Sequence, residues 1–216
     1  RRQMCRRVRL FLAEETEGWD NMVLVKADVK AAFNQIFFKP QDVRRTAFAL
    51  LGGMSLLNLV GNFGWRCTPF AWNVLSQTIQ YWLRFLGILF VCMYVDDVML
   101  ACHFAEVNSI HTTIESIFEL LMGPGSLAPA KKEVGRKLVL IGWLICLDTL
   151  TVRPSRPILL KTIHSLFDIP LDTAIHMKTL QTIAARCERF TEVAPIMNPF
   201  LQAMYHDIAG FKGNMQ

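Results

Sequence analysis

The chain has 216 residues, 52% of them apolar, with 23 basic against 18 acidic residues for a net charge of +5. That length is ample to bury a core, as one large domain or two small ones, and the modest basic excess fits a polyanionic partner without demonstrating one. A membrane-spanning helix needs about 20 consecutive apolar residues, whereas the apolar run 85–95 is closed by Asp96-Asp97, so no membrane partner is expected.

The six cysteines are scattered, form no CxxC pair and fall partly inside apolar runs, which reads as reduced core thiols. The five histidines show no zinc-ligand spacing. The Arg-rich start gives way to Glu14, Glu15 and Glu17 without the apolar region of a secretion signal. An intracellular protein, cytoplasmic or nuclear and not secreted, is the expectation. The chain opens without an initiator Met and is read as a piece cut from something longer.

In chain order, Met4, Val8, Phe11 and Leu12 recur at helical spacing over residues 4–13, with arginines between them. Residues 22–29 read as a strand whose period of two puts Val23, Val25, Ala27 and Val29 on one face and Lys26, Asp28 and Lys30 on the other. That polar face is either a plain surface of ion pairs or the open face of an active-site strand. Residues 46–50 and 57–63 read as two strands joined through Gly52-Gly53. Thr68-Pro69 then reads as an N-cap followed by proline at the first helical position. The helix after it is predicted to bury Ala71, Leu75, Ile79, Trp82 and Leu86 and to expose Asn73, Gln77, Gln80 and Arg84. Trp72 and Trp82 both read as core packing, Trp82 the more so.

Two apolar runs, 88–95 and 98–102, flank Asp96-Asp97 and have the length and β-branched or aromatic content of buried strands. Joined, they make a hairpin that lifts two carboxylates to one sheet edge. An Asp-Asp pair by itself is a solvated turn; in so apolar a setting the two charges require a proton or a cation, and a hard divalent metal is the simplest cation. Residues 106–121 read as a second amphipathic helix, with Val107, Ile110, Ile114, Ile117, Phe118 and Leu121 buried and Gly123-Pro124-Gly125 as its stop. Residues 138–145 and 150–152 read as another hairpin around Asp148-Thr149. From Pro154 the pattern is helical, over about 157–168, 172–190 with Asp172 as cap, and 198–208. The expected organisation is a body over 1–152, with an insertion at about 36–67, and a helical segment over 153–216. It is a mixed α+β layer of antiparallel hairpins and packed helices rather than a βαβ nucleotide fold, since neither GxxxxGK[ST] nor a suitably placed GxGxxG occurs.

Asp28 and Asp96 each end a predicted strand. If those strands are neighbours, the two carboxylates can share a pair of Mg²⁺ ions, with Mn²⁺ as a substitute. Two such ions clamp the attacking and leaving oxygens of an in-line phosphoryl displacement. Mg²⁺ suits the task because a few carboxylates plus substrate phosphates hold it.

At this point the motifs resemble those of a reverse transcriptase of the retrotransposon and retrovirus-like kind, from about Trp19 to about Tyr205. Lys26-Ala27-Asp28-Val29-Lys30-Ala31-Ala32-Phe33 is similar to the first metal motif of that family, an Asp followed five positions later by an aromatic residue. Asn62-Phe63-Gly64-Trp65-Arg66-Cys67-Thr68-Pro69 is similar to its Pro-containing motif, and Tyr94-Val95-Asp96-Asp97 to its YxDD box. Leu127-Ala128-Pro129-Ala130-Lys131-Lys132 resembles the segment that carries a lysine near the leaving pyrophosphate, and residues 140–145 the primer-grip hairpin. Residues 177–205 resemble thumb and connecting helices. The ordered set is far more specific than any one of these motifs.

The resemblance implies a reverse-transcriptase-type palm with partial fingers and a helical thumb or connection. It implies Asp28, Asp96 and Asp97 as metal ligands, Asp96 the firmer of the adjacent pair, and Lys131 as a proton donor. Phe33 becomes the gate that leaves no room for a ribose 2′-hydroxyl, and Phe63, Gly64, Pro69 and Tyr94 join it against the nucleotide and template. The implied activity is RNA-directed DNA polymerisation from deoxynucleoside triphosphates on an RNA or DNA template with primer. RNase H or integration domains are expected in the parent polyprotein. Departures are Cys67 before Thr68-Pro69, Ala128 before Pro129, Phe63 where retroviruses commonly have Gln, and only 27 residues ahead of Asp28. That shortness of the fingers motivates a second expectation, an inactive truncated or decayed fragment that only binds nucleic acid. An RNA-templated RNA polymerase shares the palm logic, and Phe33 argues against it.

Overall fold

The computed structural model describes residues 19–88, 90–169, 175–191 and 195–213. The helix expected over 4–13 and the cap assigned to Asp172 lie outside the described residues. The chain divides into two compact units, one of residues 13–138 and one whose described residues begin at Val139.

In the first unit, β1 (Met22–Asp28) is an inner strand of a sheet in the order β4-β5-β1-β6, with β4 (Phe90–Tyr94), β5 (Asp97–His103) and β6 (Glu133–Gly135). Its pairings are antiparallel, as expected for hairpins and not for βαβ units. Register explains the core. Val23, Val25 and Ala27 lie opposite Cys102, Leu100 and Val98, and register partners share a face of the sheet. These residues join Val29 and Val91 with Trp72, Ile79 and Leu83 of the helix over Cys67–Phe85 and Ile114 and Phe118 of the helix over Val107–Met122 in one buried cluster. The reverse face of β1 is less open than the alternation predicted: Leu24 is as buried as Val29, and Asp28 itself is buried. What the sequence presents as a polar face is a buried one interrupted by two charges.

Between β1 and α2 lie a short helix α1 (Pro40–Val43) and a hairpin of β2 (Ala47–Ala49) and β3 (Ser55–Leu57), every residue of both strands exposed. The second strand ends where the sequence reading began it, and Val60 makes only an isolated bridge with Phe37. Helix α2 (Cys67–Phe85) starts one residue before Thr68, which makes no capping bond and sits fully buried in the first turn. Its buried face is Thr68, Trp72, Ser76, Ile79, Gln80 and Leu83, rotated from the expected one. Trp72 is core, while Trp82 is half exposed and Leu86 exposed. The cause is polar burial: Gln80 donates to the Ser76 carbonyl at 3.2 Å inside the helix, so an amide occupies a core position that an apolarity count excludes. Helix α3 (Val107–Met122) meets the expected stripe except at Leu121, which is exposed. Gly123 ends it at φ 90°.

Arg136 ties the sheet to its entry. Its Nη1 donates to the carbonyls of Trp19, Asp20 and Met22 at 2.6, 2.9 and 2.9 Å, satisfying backbone acceptors just where β1 begins.

From Lys137 onward, the expected single strand over 138–145 is two strands, β7 (Lys137–Leu140) and β8 (Trp143–Cys146), completed by β9 (Thr151–Pro154) in the order β7-β8-β9. Ile141 and Gly142 both adopt positive φ, 50° and 82°, the requirement of a two-residue hairpin turn. A Cβ at Gly142 would also meet Ile158 Cδ1 at 1.8 Å, so any larger residue there has to displace the end of that side chain. Helices α4 (Arg156–Phe167), α5 (Met177–Thr191) and α6 (Asn198–Gly213) follow. The face expected of α5, with Ile183 added, packs against Leu201 and Ile208 of α6. Among the described residues Cys92, Cys102, Cys146 and Cys187 are buried, and Cys67 is exposed. Burial pushes the Cys102 thiol up to about 11, in keeping with inert core thiols. No helix among the described residues is long and apolar enough to cross a membrane.

Candidate active site

The two strands that the sequence pairs through Asp96-Asp97 form a hairpin with Val95 and Asp96 as its loop. Val95 has φ 53°, a conformation costly for a β-branched residue. It is held there by Trp72, whose Nε1 donates to the Val95 carbonyl at 2.9 Å, and by packing against the core. On the next strand, Val29 N donates to the Asp96 carbonyl at 2.7 Å. That bond brackets the Asp28–Asp97 register pair and makes it non-hydrogen-bonded, the kind whose side chains approach most closely.

One row across the sheet therefore reads Tyr94, Asp97, Asp28, and the row behind it Cys92, Met99, Lys26, Glu133. The cross-strand partner of Asp28 is thus Asp97, while Asp96 stands exposed in the loop. Like charges directly opposite each other destabilise a sheet. The cost is visible at Asp97, whose carboxyl is raised above its ordinary 3.8 first by burial and further by Asp96 and Asp28, against the lowering pull of Lys26 and Lys131.

Two lysines answer these charges. Lys131 Nζ donates to Asp28 Oδ2 at 2.9 Å, with the Asp28 side chain 11% exposed and the lysine 63%. Lys26 lies 3.7 Å from Asp97 Oδ1 and 3.4 Å from Glu133 Oε1. Lys131 is delivered by the segment running beside the end of β1. There Lys30 N donates to the Ser126 carbonyl at 2.7 Å and Ala128 N to the Asp28 carbonyl at 2.9 Å, before a short turn at Pro129–Lys131. The bond to Asp28 raises the Lys131 ammonium further above its ordinary value, so while paired it is a counter-ion rather than an acid. The basic group 131–137 is otherwise engaged internally: Lys132 pairs with Glu115, and Arg136 holds carbonyls.

Phe33 follows Ala31, itself at φ 50°, in a short turn at Ala32–Gln35. Its ring is buried and lies 4.7 Å from that of Phe63, which is 82% exposed. The strand-like return of 59–61 along 36–38 brings the two rings together. Gly61 permits it, since a Cβ there would lie 2.8 Å from the Phe33 carbonyl and 2.5 Å from Thr68 Cγ2. Gly64 turns the chain at φ 90° into α2, and Pro69 is exposed in its first turn. Arg45 pairs with Asp42 at 3.5 Å on the surface.

The structure thus gathers Asp28, Asp97, Tyr94 and Lys131, sets Asp96 beside them in the loop, and keeps Phe33 and Phe63 as a separate aromatic pair. Sequence reasoning missed Lys26 as the brace of Asp97, Glu133 as the partner of Lys26, and Trp72 as the support of the loop. The period-two spacing of Lys26 and Asp28 was the available signal for the first. Nothing in the sequence marks Glu133.

Among the described residues no three His, Cys, Asp or Glu side chains are gathered as a ready-made metal cage. Mg²⁺ does not demand one, being held by one or two carboxylates and substrate phosphates. The buried Asp28 and the proton-hungry Asp97 supply hard oxygen donors whose mutual repulsion a divalent cation relieves, so the donor set fits such an ion.

No protein-family model matches the chain, and no curated protein matches it in sequence. Solved structures do. A foamy viral protease-reverse transcriptase in complex with an RNA/DNA hybrid superposes with a TM-score of 0.63 at 16% identity, over 87% of this chain and 24% of that one. The dRH form of a foamy viral protease-reverse transcriptase in complex with double-stranded DNA gives 0.62 at 15%, over 87% and 31%. An apo telomerase from Candida tropicalis gives 0.50 at 12%, over 71% and 40%. The chain spans less than half the length of each. These likenesses and the antiparallel sheet with its packed helices give the chain the α+β fold of the reverse-transcriptase type of nucleic-acid polymerase.

Proposed function

We propose that the chain is the palm-centred part of an RNA-directed DNA polymerase of a retrotransposon, which adds deoxynucleotides to a primer 3′-hydroxyl on an RNA or DNA template. The observation that carries this reading is the Tyr94–Asp97–Asp28 row at the edge of the central sheet, with Asp96 in the adjoining loop. Two Mg²⁺ ions, or Mn²⁺ in their place, would lower the pKa of the primer hydroxyl and neutralise the departing pyrophosphate. Asp28, Asp96 and Asp97 are the residues assigned to hold them. Phe33, backed by Phe63, excludes a ribose 2′-hydroxyl; Gly64, Pro69 and Tyr94 face the nucleotide and template. Lys131 meets the anionic phosphates once it leaves Asp28. The partner is a primer-template duplex, in keeping with the nucleic acids bound by the foamy viral enzyme. In this reading the protein works inside the cell, in cytoplasm or nucleus, with RNase H or integration domains elsewhere in the same polyprotein.

One observation favours a second reading. Buried Asp28 and half-buried Asp97 already have lysine counter-ions, the arrangement that a palm retained only for binding nucleic acid would keep. Primer extension on an RNA template with Mg²⁺ or Mn²⁺ separates the two. The polymerase reading expects incorporation by the wild type and none by Asp96→Asn. Salt-dependent binding of primer-template without incorporation by a folded sample selects the binding-only reading.

A further inference from the structure

The two lysines are arranged differently, and the difference bears on how the site fills. Lys26 lies in the row behind the carboxylates, its side chain 19% exposed, and is shared between Asp97 and Glu133. It is a fixed brace with an anionic anchor on each side. Lys131 sits at the end of a surface turn, its side chain 63% exposed, and reaches Asp28 Oδ2 at hydrogen-bond distance. Asp28 is the buried member of the acidic row and offers few solvent-facing lone pairs. An ammonium on Oδ2 takes the oxygen that a hard cation would need, and adds a positive charge that repels one.

We propose that Lys131 and a divalent cation compete for the Asp28 carboxylate, so that the site binds its metal weakly until an anionic phosphate group draws the lysine away. This rests on the polymerase reading and adds to it an order of filling: the phosphate-bearing substrate and the cation assist each other through one side chain. Because linkage is reciprocal, whatever removes Lys131 from Asp28 tightens cation binding by the same factor that the cation weakens the ion pair. Removal of the ammonium by mutation therefore mimics the phosphate. Lys26, held by Glu133 and set behind the row, competes less.

The test is Mn²⁺ binding to the full chain, followed by electron paramagnetic resonance without nucleotide or nucleic acid. Lys131→Met is expected to bind Mn²⁺ about three- to tenfold more tightly than the wild type, the scale of a partly exposed charge-assisted contact. Lys131→Arg is expected to match the wild type, Lys26→Met to change affinity by less than about twofold, and Asp28→Asn to lose the site. Equal or weaker binding by Lys131→Met, with Asp28→Asn still abolishing it, overturns the competition and leaves the polymerase reading standing. Binding that survives Asp28→Asn overturns the proposal, because the ion is then elsewhere. Absence of binding in every variant removes the metal site and the polymerase reading with it. The exposure of Lys131 makes its variants foldable, and a thermal melt checks that they are.

Discussion

The central sheet and the β2–β3 hairpin belong to the same unit and are built from similarly apolar segments, yet they differ in every physical respect. Along β5, Val98 to Ala101 are fully buried, and each has a register partner on β1, itself covered by two helices. Along β2 and β3 every residue is exposed, with Leu56 at 57% and Leu57 at 54%. Residues 46–65 contain no charge at all, so the hairpin lacks even the edge charges that usually guard an open strand. A two-stranded hairpin is marginal on its own. Apolar composition thus marks a segment as able to be buried, and the number of neighbouring layers decides whether it is. The sheet holds the acidic row rigidly, and the hairpin adds little to its stability.

That contrast can be broken by mutation. The largest effect is expected at Leu100→Ala, where a fully buried side chain is truncated beneath the acidic row; denaturant melts should show a loss of about 2–5 kcal/mol. Arg136→Met removes three carbonyl contacts at the entry of β1 and should cost about 1.5–3 kcal/mol, the range for a bond to a charged group. Trp72→Phe keeps an aromatic ring but loses the bond to Val95; about 1 kcal/mol is expected, and on the proposed polymerase reading slower nucleotide incorporation as well, because the strained loop beside Asp97 loses its tether.

Asp97→Asn has the opposite sign. Since the folded carboxyl is raised above 3.8, the fold binds that proton more tightly than the unfolded chain does. Its stabilising contribution is complete below 3.8 and is lost as pH rises through the raised value. The variant should therefore gain stability over the wild type across that window and hold the gain at neutral pH, in a pH series of thermal melts. Leu57→Ala in the hairpin should stay within about 0.5 kcal/mol of the wild type. A loss of several kcal/mol there would show that the hairpin is packed and would erase the contrast.

Much of this was legible in the sequence. Strand periodicity placed β1, and the two apolar runs around Asp96-Asp97 placed β4 and β5, because buried antiparallel strands leave strong local patterns. Gly123 and the helical texture after Pro154 were readable for the same reason. The buried face of α2 was not, since Thr68, Ser76 and Gln80 enter the core and a count of apolar residues turns the helix toward Trp82 instead of Trp72. The break at Ile141-Gly142 was lost inside an apolar run, although Gly was there to mark a turn. Within the site, the carboxylates and Lys131 were visible as motif residues. Which aspartate faces Asp28 was not, because register is set by pairing across 69 positions, from 28 to 97, and no local pattern encodes it.

On the proposed reading the row of Asp28 and Asp97 is a catalytic centre and not merely a neutralised pair. Single-turnover incorporation of one deoxynucleotide on an RNA template with Mn²⁺, by the wild-type chain and by Asp28→Asn, tests it most directly. A catalytic row is expected to give incorporation by the wild type and a loss of about 10³-fold or more in the variant, the scale on which a core electrostatic group acts. Equal rates in the two proteins, or a folded wild type that binds primer-template and adds nothing, would contradict it.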